Sequence, residues 1–167
     1  MPSAGAEELL ERLEMAWRPL REVAEAAGPA VLEQATSAGW TGKEMIAHVA
    51  FWEEAVEGFV TLVLRQRVLS EGWEFGSGYR PEEEWPAADV HNAREAAWAR
   101  HRPSAEVLAR WDAAHARLVR FLGTVSDEEA EAHADYFTES VEGHFGDHRA
   151  EFEELRAASE WRRALPG

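Results

Sequence analysis

Apolar residues recur at intervals of three and four along most of the chain, which is the repeat of an amphipathic helix. The first such segment extends from about Ala6 to Ala27, and Gly28 followed by Pro29 is a typical helix stop. Alternation of apolar and polar residues by two, the pattern of a half-buried strand, is absent. The pattern therefore predicts an all-α protein, in which residues 30–40 form a connector with room for a short turn of helix.

The second predicted helix begins at Thr41, which forms a capping box with Glu44: the hydroxyl accepts a backbone N–H and the carboxylate reaches back to the cap. An apolar seam then steps by three and four through Met45, Val49, Trp52, Val56, Phe59 and Val63. His48 lies one position from this seam. Its imidazole is therefore expected on or beside the buried face.

Residues 70–86 are rich in glycine, proline and acidic side chains and are predicted to form a long loop. Asp89 is then expected to cap a third helix, whose apolar side consists of Val90, Ala93, Ala97 and Trp98. Pro103 and Ser104 separate it from a fourth helical segment that ends near Gly123. The inward residues of this segment are predicted to be Val107, Leu108, Trp111, His115, Leu118, Val119 and Leu122.

A second capping box, formed by Ser126 and Glu129, predicts a short helix to about Ala134. Residues 135–138 are expected to be a connector before the last helix, which runs to about Trp161. Four principal helices around one core are therefore predicted, in a single domain over residues 1–167.

The last helix contains two histidines one turn apart, His144 and His148, within the sequence GHFGDHRAEFEEL. Residues at i and i+4 share a helix face, so the two imidazoles can bind one transition metal. This face borders the core, because an apolar stripe runs through Val141, Phe145, His148, Phe152 and Leu155. A buried imidazole requires a polar partner, since an unsatisfied buried group costs about 1–3 kcal/mol. His48 on the second helix is the expected partner.

Three histidines from two helices make a plausible metal site, because neutral imidazole suits Zn, Ni, Cu and Fe. Three protein ligands also leave coordination positions for water or substrate, as catalytic sites do. The alternative is that His144 and His148 are ordinary surface or core histidines, and the spacing alone supports both interpretations about equally.

Charge and composition exclude several classes of function. The chain has 17 Lys and Arg against 32 Asp and Glu, a formal net charge of −15, so it would be repelled by the phosphates of nucleic acids. It contains no cysteine, which excludes disulfides, thiolate metal sites and a cysteine nucleophile and fits a cytoplasmic protein. No signal sequence and no apolar run of 18 residues are present, so no interaction with a membrane is expected.

The segment from Gly39 to Glu53, GWTGKEMIAHVAFWE, resembles the first half of the signature of the DinB-like superfamily. The pair His144-x-x-x-His148 is similar to the second half, and the resemblance covers nearly the whole chain. The middle of the chain, from Asp89 to Glu129, is similar to the DfsB branch, which includes a hydrolase that protects cells from a cyclopropane-bearing genotoxin.

The resemblance implies an up-down-down-up four-helix bundle, often a homodimer, with a divalent metal held by His48, His144 and His148. Zn or Ni is the expected ion, with Fe as the further option. Related proteins include transferases and isomerases that use the low-molecular-weight thiols mycothiol or bacillithiol. A hydrolase or thiol transferase acting on a small electrophile is therefore expected.

In the DfsB branch the metal triad is not reliably complete, so the full triad places this chain between the branches. A non-catalytic, stress-related protein that binds or sequesters a small molecule stays open as the alternative.

Two further residues are candidates for contact with a cofactor or ligand. Trp52 lies one turn beyond His48 and is expected either to line a pocket or to belong to the core. Asn92 matches a family position near the start of a helix and either touches ligand or has a capping or loop role. Glu44 and Glu151 are each within a turn of a histidine and are candidates to orient the imidazoles. The substrate is expected to enter near residues 72–86, and no side chain stands out as a general base.

Overall fold

The computed structural model describes residues 1–37, 39–81 and 87–164, except the side chains of Ser140, Val141, Ser159 and residues 161–164. The described residues contain no β-strand, only two isolated bridges, Ala35 with Thr41 and Phe75 with Tyr79. The prediction of an all-α fold is therefore confirmed. Among the described helices, none combines the length and the apolar character that crossing a membrane requires.

The described part of the chain contains seven α-helices. They are α1 (Ala4–Ala27), α2 (Pro29–Leu32), α3 (Gly42–Phe59), α4 (Ala88–Arg100), α5 (Ser104–Leu122), α6 (Asp127–Ala132) and α7 (Gly143–Ala164). A π-helical segment, Val60–Leu64, continues α3, and a second one, Tyr136–Glu142, leads directly into α7. The long elements are therefore α1, α3, α5 and α7, with the shorter α4 beside them.

One apolar core is shared by α1, α3, α5 and α7. Helix α3 is packed against α5, α4 and α7, while α1 is packed mainly against α7. The largest completely buried side chains at the centre of this core include Leu13, Trp111, Leu118, Phe145 and Phe152. Since α3 is covered on several sides, polar residues on it are buried whenever they face α4, α5 or α7. The up-down-down-up order of the bundle stays a prediction.

The predicted helix starts at Thr41 and Ser126 are confirmed, because both capping boxes form completely. The Thr41 hydroxyl accepts from the Glu44 N–H, and the Glu44 carboxylate accepts from the Thr41 N–H at 2.8 Å. Helix α1 ends where predicted, at Gly28, which has a positive φ of 76°. Such a φ is strained for a residue with a Cβ atom, which explains why glycine ends this helix.

Helix α4 differs from the prediction in its start and in its buried face. It begins at Ala88, and its N-cap is Ala87, so the carboxylate of Asp89 lies in the first turn and accepts from the Val90 N–H. Val90, predicted to be inward, is 52% exposed, and the buried residues are His91, Glu95, Ala96 and Ala99. The prediction failed because the buried face of α4 is partly polar, and apolar spacing marks only apolar contacts.

The two π-helical segments account for the other differences. Val63, the last residue of the predicted α3 seam, is 44% exposed, whereas Val60 is buried. A π turn contains more residues than an α turn, so the apolar spacing of an α-helix no longer marks the inward side there. Residues 136–138, expected to be a connector, are π-helical. The side chain of Val141, placed on the inward stripe of the last helix, lies outside the described residues.

Candidate metal centre

Two helices position the three predicted histidines. His48 lies in the second turn of α3, whose start is fixed by the Thr41 capping box, and its side chain is buried. His144 and His148 lie one turn apart in the first turns of α7, which is packed against α3. Phe145 on the same helix is completely buried and holds this end of α7 on the core. The side chains of all three histidines therefore meet between α3 and α7.

The imidazoles meet through their Nε2 atoms. The Nε2 atom of His144 is 2.9 Å from Nε2 of His48 and 3.0 Å from Nε2 of His148. One ligand atom from each residue lies within 4.8 Å of the others. Two nitrogens that each bind one metal at about 2 Å cannot be more than about 4 Å apart, and both measured distances satisfy this limit. The three histidines are thus positioned to bind a metal ion.

The outer nitrogen of His48 contacts Asn92, on helix α4. The Nδ1 atom of His48 is 2.9 Å from Oδ1 of Asn92, and the Trp52 indole N–H donates to the same oxygen at 3.2 Å. An indole N–H can only donate, so the Asn92 atom that faces it must be the amide oxygen. The His48 Nδ1 atom must therefore carry a proton, and the Nε2 atom of the neutral ring presents a lone pair.

The outer nitrogen of His148 has a different partner. Its Nδ1 atom is 2.6 Å from Oε2 of Glu151, one turn further along α7. Because a carboxylate only accepts, the proton of a neutral His148 ring lies on Nδ1 and the Nε2 lone pair again points at His144. Carboxylate–histidine contacts of this kind are common around bound metals, where they orient the ring and increase its basicity.

The three inner nitrogens cannot satisfy one another. His48 and His148 both direct lone pairs at Nε2 of His144, which carries at most one proton and can donate to only one of them. A cation between the rings resolves this conflict, and an added proton is disfavoured. Burial, together with the neighbouring His144 and His148, lowers the pKa of His48 to about 3, although Asn92 opposes the shift. Burial also lowers the pKa of His144 to about 3, with a contribution from His148. The donor set therefore fits a divalent metal.

A cleft of about 300 Å³ opens beside His48 and His148. This volume is at the lower end of the range found for small-molecule sites. Trp40 forms one wall, with its ring centroid 5.0 Å from that of His48 and the two rings nearly perpendicular. The residues that line the cleft are Thr36, Trp40, Met45, His48, His148 and Glu151. A small molecule in the cleft would contact the histidine rings directly.

The structure brings together most of the residues singled out from the sequence. His48, His144 and His148 meet, Asn92 contacts the outer nitrogen of His48, and the Trp52 indole N–H donates to the same Asn92 oxygen. Of the two glutamates considered, Glu151 contacts a histidine, whereas Glu44 contacts Thr41 and Arg100. Sequence reasoning did not identify Trp40 and Thr36 as parts of the site. The only local signal was a tryptophan directly before a helix cap.

The loop that was expected to admit the substrate is described only in part. Residues 82–86 lie outside the described residues. In residues 72–81, Phe75 and Tyr79 pack around Phe51 and His91, and none of these four lines the cleft beside the histidines. The described wall of the cleft comes instead from the connector before α3, from α3 itself and from α7.

Comparison with protein families shows a match to the DinB superfamily. The model of this superfamily matches residues 12–158, which include all three histidines, the whole of α3 and most of α7. The comparison with curated proteins found no match, and neither did the comparison with solved structures. The family match covers most of the chain, and the chain therefore belongs to the DinB superfamily.

Proposed function

We propose that the protein is a metal-dependent enzyme in which His48, His144 and His148 bind Zn or Ni, with Fe as the further option. Its substrate would be a small electrophilic molecule, attacked either by water or by a low-molecular-weight thiol. The observation that carries this proposal is the convergence of three Nε2 atoms, two of which must present lone pairs. Membership of the DinB superfamily supports it.

A divalent ion held by three imidazoles would supply a Lewis acid that polarises a substrate and lowers the pKa of a bound water or thiol. Three protein ligands leave room for such a molecule. The chain's own residues then have defined tasks. Asn92, oriented by Trp52, holds the proton of His48 on Nδ1, and Glu151 does the same for His148.

The cleft supplies the place for the substrate. Trp40 and Met45 offer apolar surface next to His48, so a small molecule bound there is partly shielded from water. Because the chain contains no cysteine, a thiol that takes part in the reaction must be a separate molecule. The cleft would then have to accept that thiol, the electrophile or both in succession.

The first test is the metal content of untagged protein, measured by elemental analysis beside His148→Ala. One equivalent of Zn, Ni or Fe in the parent protein and a loss of most of it in the variant are expected. His101→Ala is the matched control, because His101 is an exposed histidine at the end of α4, and it should keep the full metal content. Equal metal in all three proteins, or no uptake on titration with Zn, would contradict the proposal.

Metal binding alone does not distinguish an enzyme from a protein that only sequesters a ligand. The loaded protein should therefore be assayed for hydrolysis and for thiol transfer to small electrophiles, with His148→Ala as the inactive reference. Turnover that depends on the metal supports the enzyme. Stoichiometric binding of an electrophile without turnover would support the alternative, a small-molecule binding protein of the DfsB type.

A further inference from the structure

The cleft beside the histidines is lined by one acidic side chain and by no described basic one. Of its six lining residues, the only one that carries a full charge when the histidines are neutral is Glu151. The Glu151 side chain is 27% exposed, and one of its oxygens is engaged by His148 at 2.6 Å. No lysine or arginine occurs among the lining residues that the structure describes. A ligand with a carboxylate or phosphate would therefore find no cation in this wall to pair with.

The described cations closest in sequence to the cleft residues are paired elsewhere. Lys43, at the start of α3, contacts Glu33 at 2.9 Å and donates to the backbone carbonyl of Arg102. Arg149, which follows His148, contacts Glu153 at 2.9 Å on the solvent side of α7. Neither side chain is free to turn toward a ligand without losing its present partner. The nearby Glu154, which accepts from Ser37, adds further negative charge to this end of the molecule.

The balance of charge in the site limits what a ligand can carry. A divalent ion brings two positive charges, three neutral imidazoles bring none, and Glu151 brings one negative charge. A single positive charge is left, and one anionic donor atom directed at the metal side of the cleft neutralises it. A second anionic group on the same ligand would have to lie between Trp40, Met45 and Glu151, where burial of an unpaired charge is costly.

We infer that this cleft selects small molecules with one anionic donor atom, such as a thiolate, on an otherwise uncharged body, and that it discriminates against ligands with additional carboxylates or phosphates. The uncharged body packs between Trp40 and Met45, and Glu151 supplies the repulsion. This inference rests on the proposed metal site. It adds to that proposal the class of substrate or thiol that the site accepts.

Two matched probes test the inference: N-acetyl-cysteinamide, whose body is uncharged, and N-acetyl-cysteine, which differs only by carrying a carboxylate. Binding of each to the Co(II)-loaded protein is followed by the visible absorption of the ion, which needs no knowledge of the natural reaction. The amide is expected to bind about tenfold or more tightly than the acid at low salt. The difference should decrease as the ionic strength rises, because the repulsion is partly screened.

Glu151→Gln removes the negative charge but keeps an oxygen that can accept from His148. It is expected to reduce the preference for the amide by about fivefold, mainly by improving binding of the acid. Because the result is a ratio between proteins, the different thiol pKa values of the two probes cancel. Glu153→Gln is the control: it removes the same charge two residues away, from a side chain that contacts Arg149, and should leave the preference unchanged.

Each outcome has a definite meaning. A protein that takes up no Co(II) or Zn would overturn the proposed metal site, and the inference with it. A loaded protein that binds the acid as well as the amide, or binds neither, would overturn the inference and leave the metal site standing. An equal change of preference in Glu151→Gln and Glu153→Gln would show that net charge decides, and it would overturn the role of the cleft wall.

Discussion

Helix α3 carries two buried polar clusters that differ in how they are satisfied. The histidine triad, His48 with His144 and His148, directs at least two lone pairs at one atom. The ion cluster consists of Glu54 on the same helix with Glu95 and Arg110. Both clusters are largely removed from water, and both join α3 to neighbouring helices, but only one of them is complete within the chain.

Every carboxylate oxygen of the ion cluster accepts a hydrogen bond. Arg110 donates from Nε and Nη2 to the two oxygens of Glu54 and from Nη1 to Glu95. The second oxygen of Glu95 accepts from the Ser77 hydroxyl, and Glu54 also accepts from the Gly76 N–H at 2.9 Å. These last two bonds attach the loop after α3 to the bundle. All carboxylate oxygens of the cluster are therefore satisfied within the protein, so the cluster has a structural role and requires no ligand.

The nitrogens of the triad, in contrast, are not all satisfied by hydrogen bonds within the protein. The outer nitrogens of His48 and His148 are held by Asn92 and Glu151, while the inner nitrogens of the three rings face one another with too few protons. A buried polar group without a partner is costly, so such an arrangement fits the binding of a metal ion between the rings. Burial alone therefore does not distinguish these two clusters, whereas the mismatch between donors and acceptors around Nε2 of His144 does.

The largest effect is expected from Arg110→Met, which breaks the ion cluster. It leaves two buried carboxylates without a counter-charge, and removal of one partner from a buried ion pair typically costs about 3–5 kcal/mol. Urea unfolding should show this loss in the free energy of unfolding, while the metal content of the folded fraction stays at the parent level. Arg149→Met, in an exposed pair with Glu153, is the control and should cost less than about 1 kcal/mol. A loss below about 1 kcal/mol for Arg110→Met would show that the cluster is not structural.

The second prediction concerns the triad and the proposed metal ion. Excess Zn is expected to raise the free energy of unfolding by about 4 kcal/mol when free Zn is a thousand times the Kd, because the metal binds only the folded state. Chelation with EDTA should remove the gain. His144→Ala should show no gain at any Zn concentration, since His144 contacts both other histidines. The ion cluster offers a contrast, as Arg110→Met should keep the Zn-dependent increment. Thermal shifts with and without Zn provide the measurement.

The two clusters also differ in how far they could be predicted from the sequence. His144 and His148 are one turn apart on one helix, so their relation is local and their spacing reveals it. His48 could be added because it lies beside an apolar seam and within a segment that resembles the family signature. All-α architecture and both capping boxes follow from equally local patterns, and the structure confirms them.

The ion cluster could not be predicted in this way. Glu54, Glu95 and Arg110 lie on three helices, and nothing local distinguishes them from the many exposed charges of an acidic chain. Their pairing depends on how α4 and α5 pack on α3. The same limit explains the error at α4, where Glu95 and His91 face inward and Val90 faces solvent. It also explains why the hydrogen bond between Trp52 and Asn92 was not foreseen.

Glu53, also on α3, is a third buried polar group, and its hydrogen bonding is only partly complete. One of its oxygens accepts from the Trp111 indole N–H and lies 3.5 Å from Nδ1 of His115, which also contacts Glu14. Its other oxygen has no partner among the described residues. Burial, reinforced by neighbouring Glu54, raises the pKa of Glu53 from 4.5 to about 7, although His115 and Trp111 oppose the shift.

The contribution of Glu53 to the free energy of unfolding should therefore fall as the pH rises. Between pH 4.5 and 7 the folded protein keeps the Glu53 proton that the unfolded chain has lost, so rising pH favours unfolding. Burial opposes protonation of His115, but Glu53 and Glu14 outweigh it and raise its pKa, which acts in the same direction. Between pH 5 and 8 the Glu53 contribution should decrease by on the order of 2 kcal/mol. The lowered pKa values of His48 and His144 act in the opposite direction, because the stability that they contribute is lost as the pH falls, so the effect of Glu53 is measured as a difference between proteins.

In urea unfolding, Glu53→Gln should gain more than about 1 kcal/mol relative to the parent protein between pH 5 and 8. Glu22→Gln, an exposed control, should match the parent. A pH profile that Glu53→Gln leaves unchanged would assign the dependence to other groups.

The last prediction concerns the contact behind the triad, at Asn92. The Trp52 N–H fixes the Asn92 amide so that its oxygen accepts from His48, and this holds the His48 proton on Nδ1 and the lone pair on Nε2. Asn92→Leu removes that acceptor, and loss of such a contact typically weakens metal binding about 10-fold to 100-fold. Asn92→Asp keeps the acceptor and adds charge, so it should bind Zn at least as tightly as the parent protein. Competition with a chromophoric chelator measures all three affinities. If Asn92→Leu and Asn92→Asp weaken Zn binding equally, Asn92 serves only to pack α4 on α3. The contact between Asn92 and the outer nitrogen of His48 would then make no contribution to metal binding.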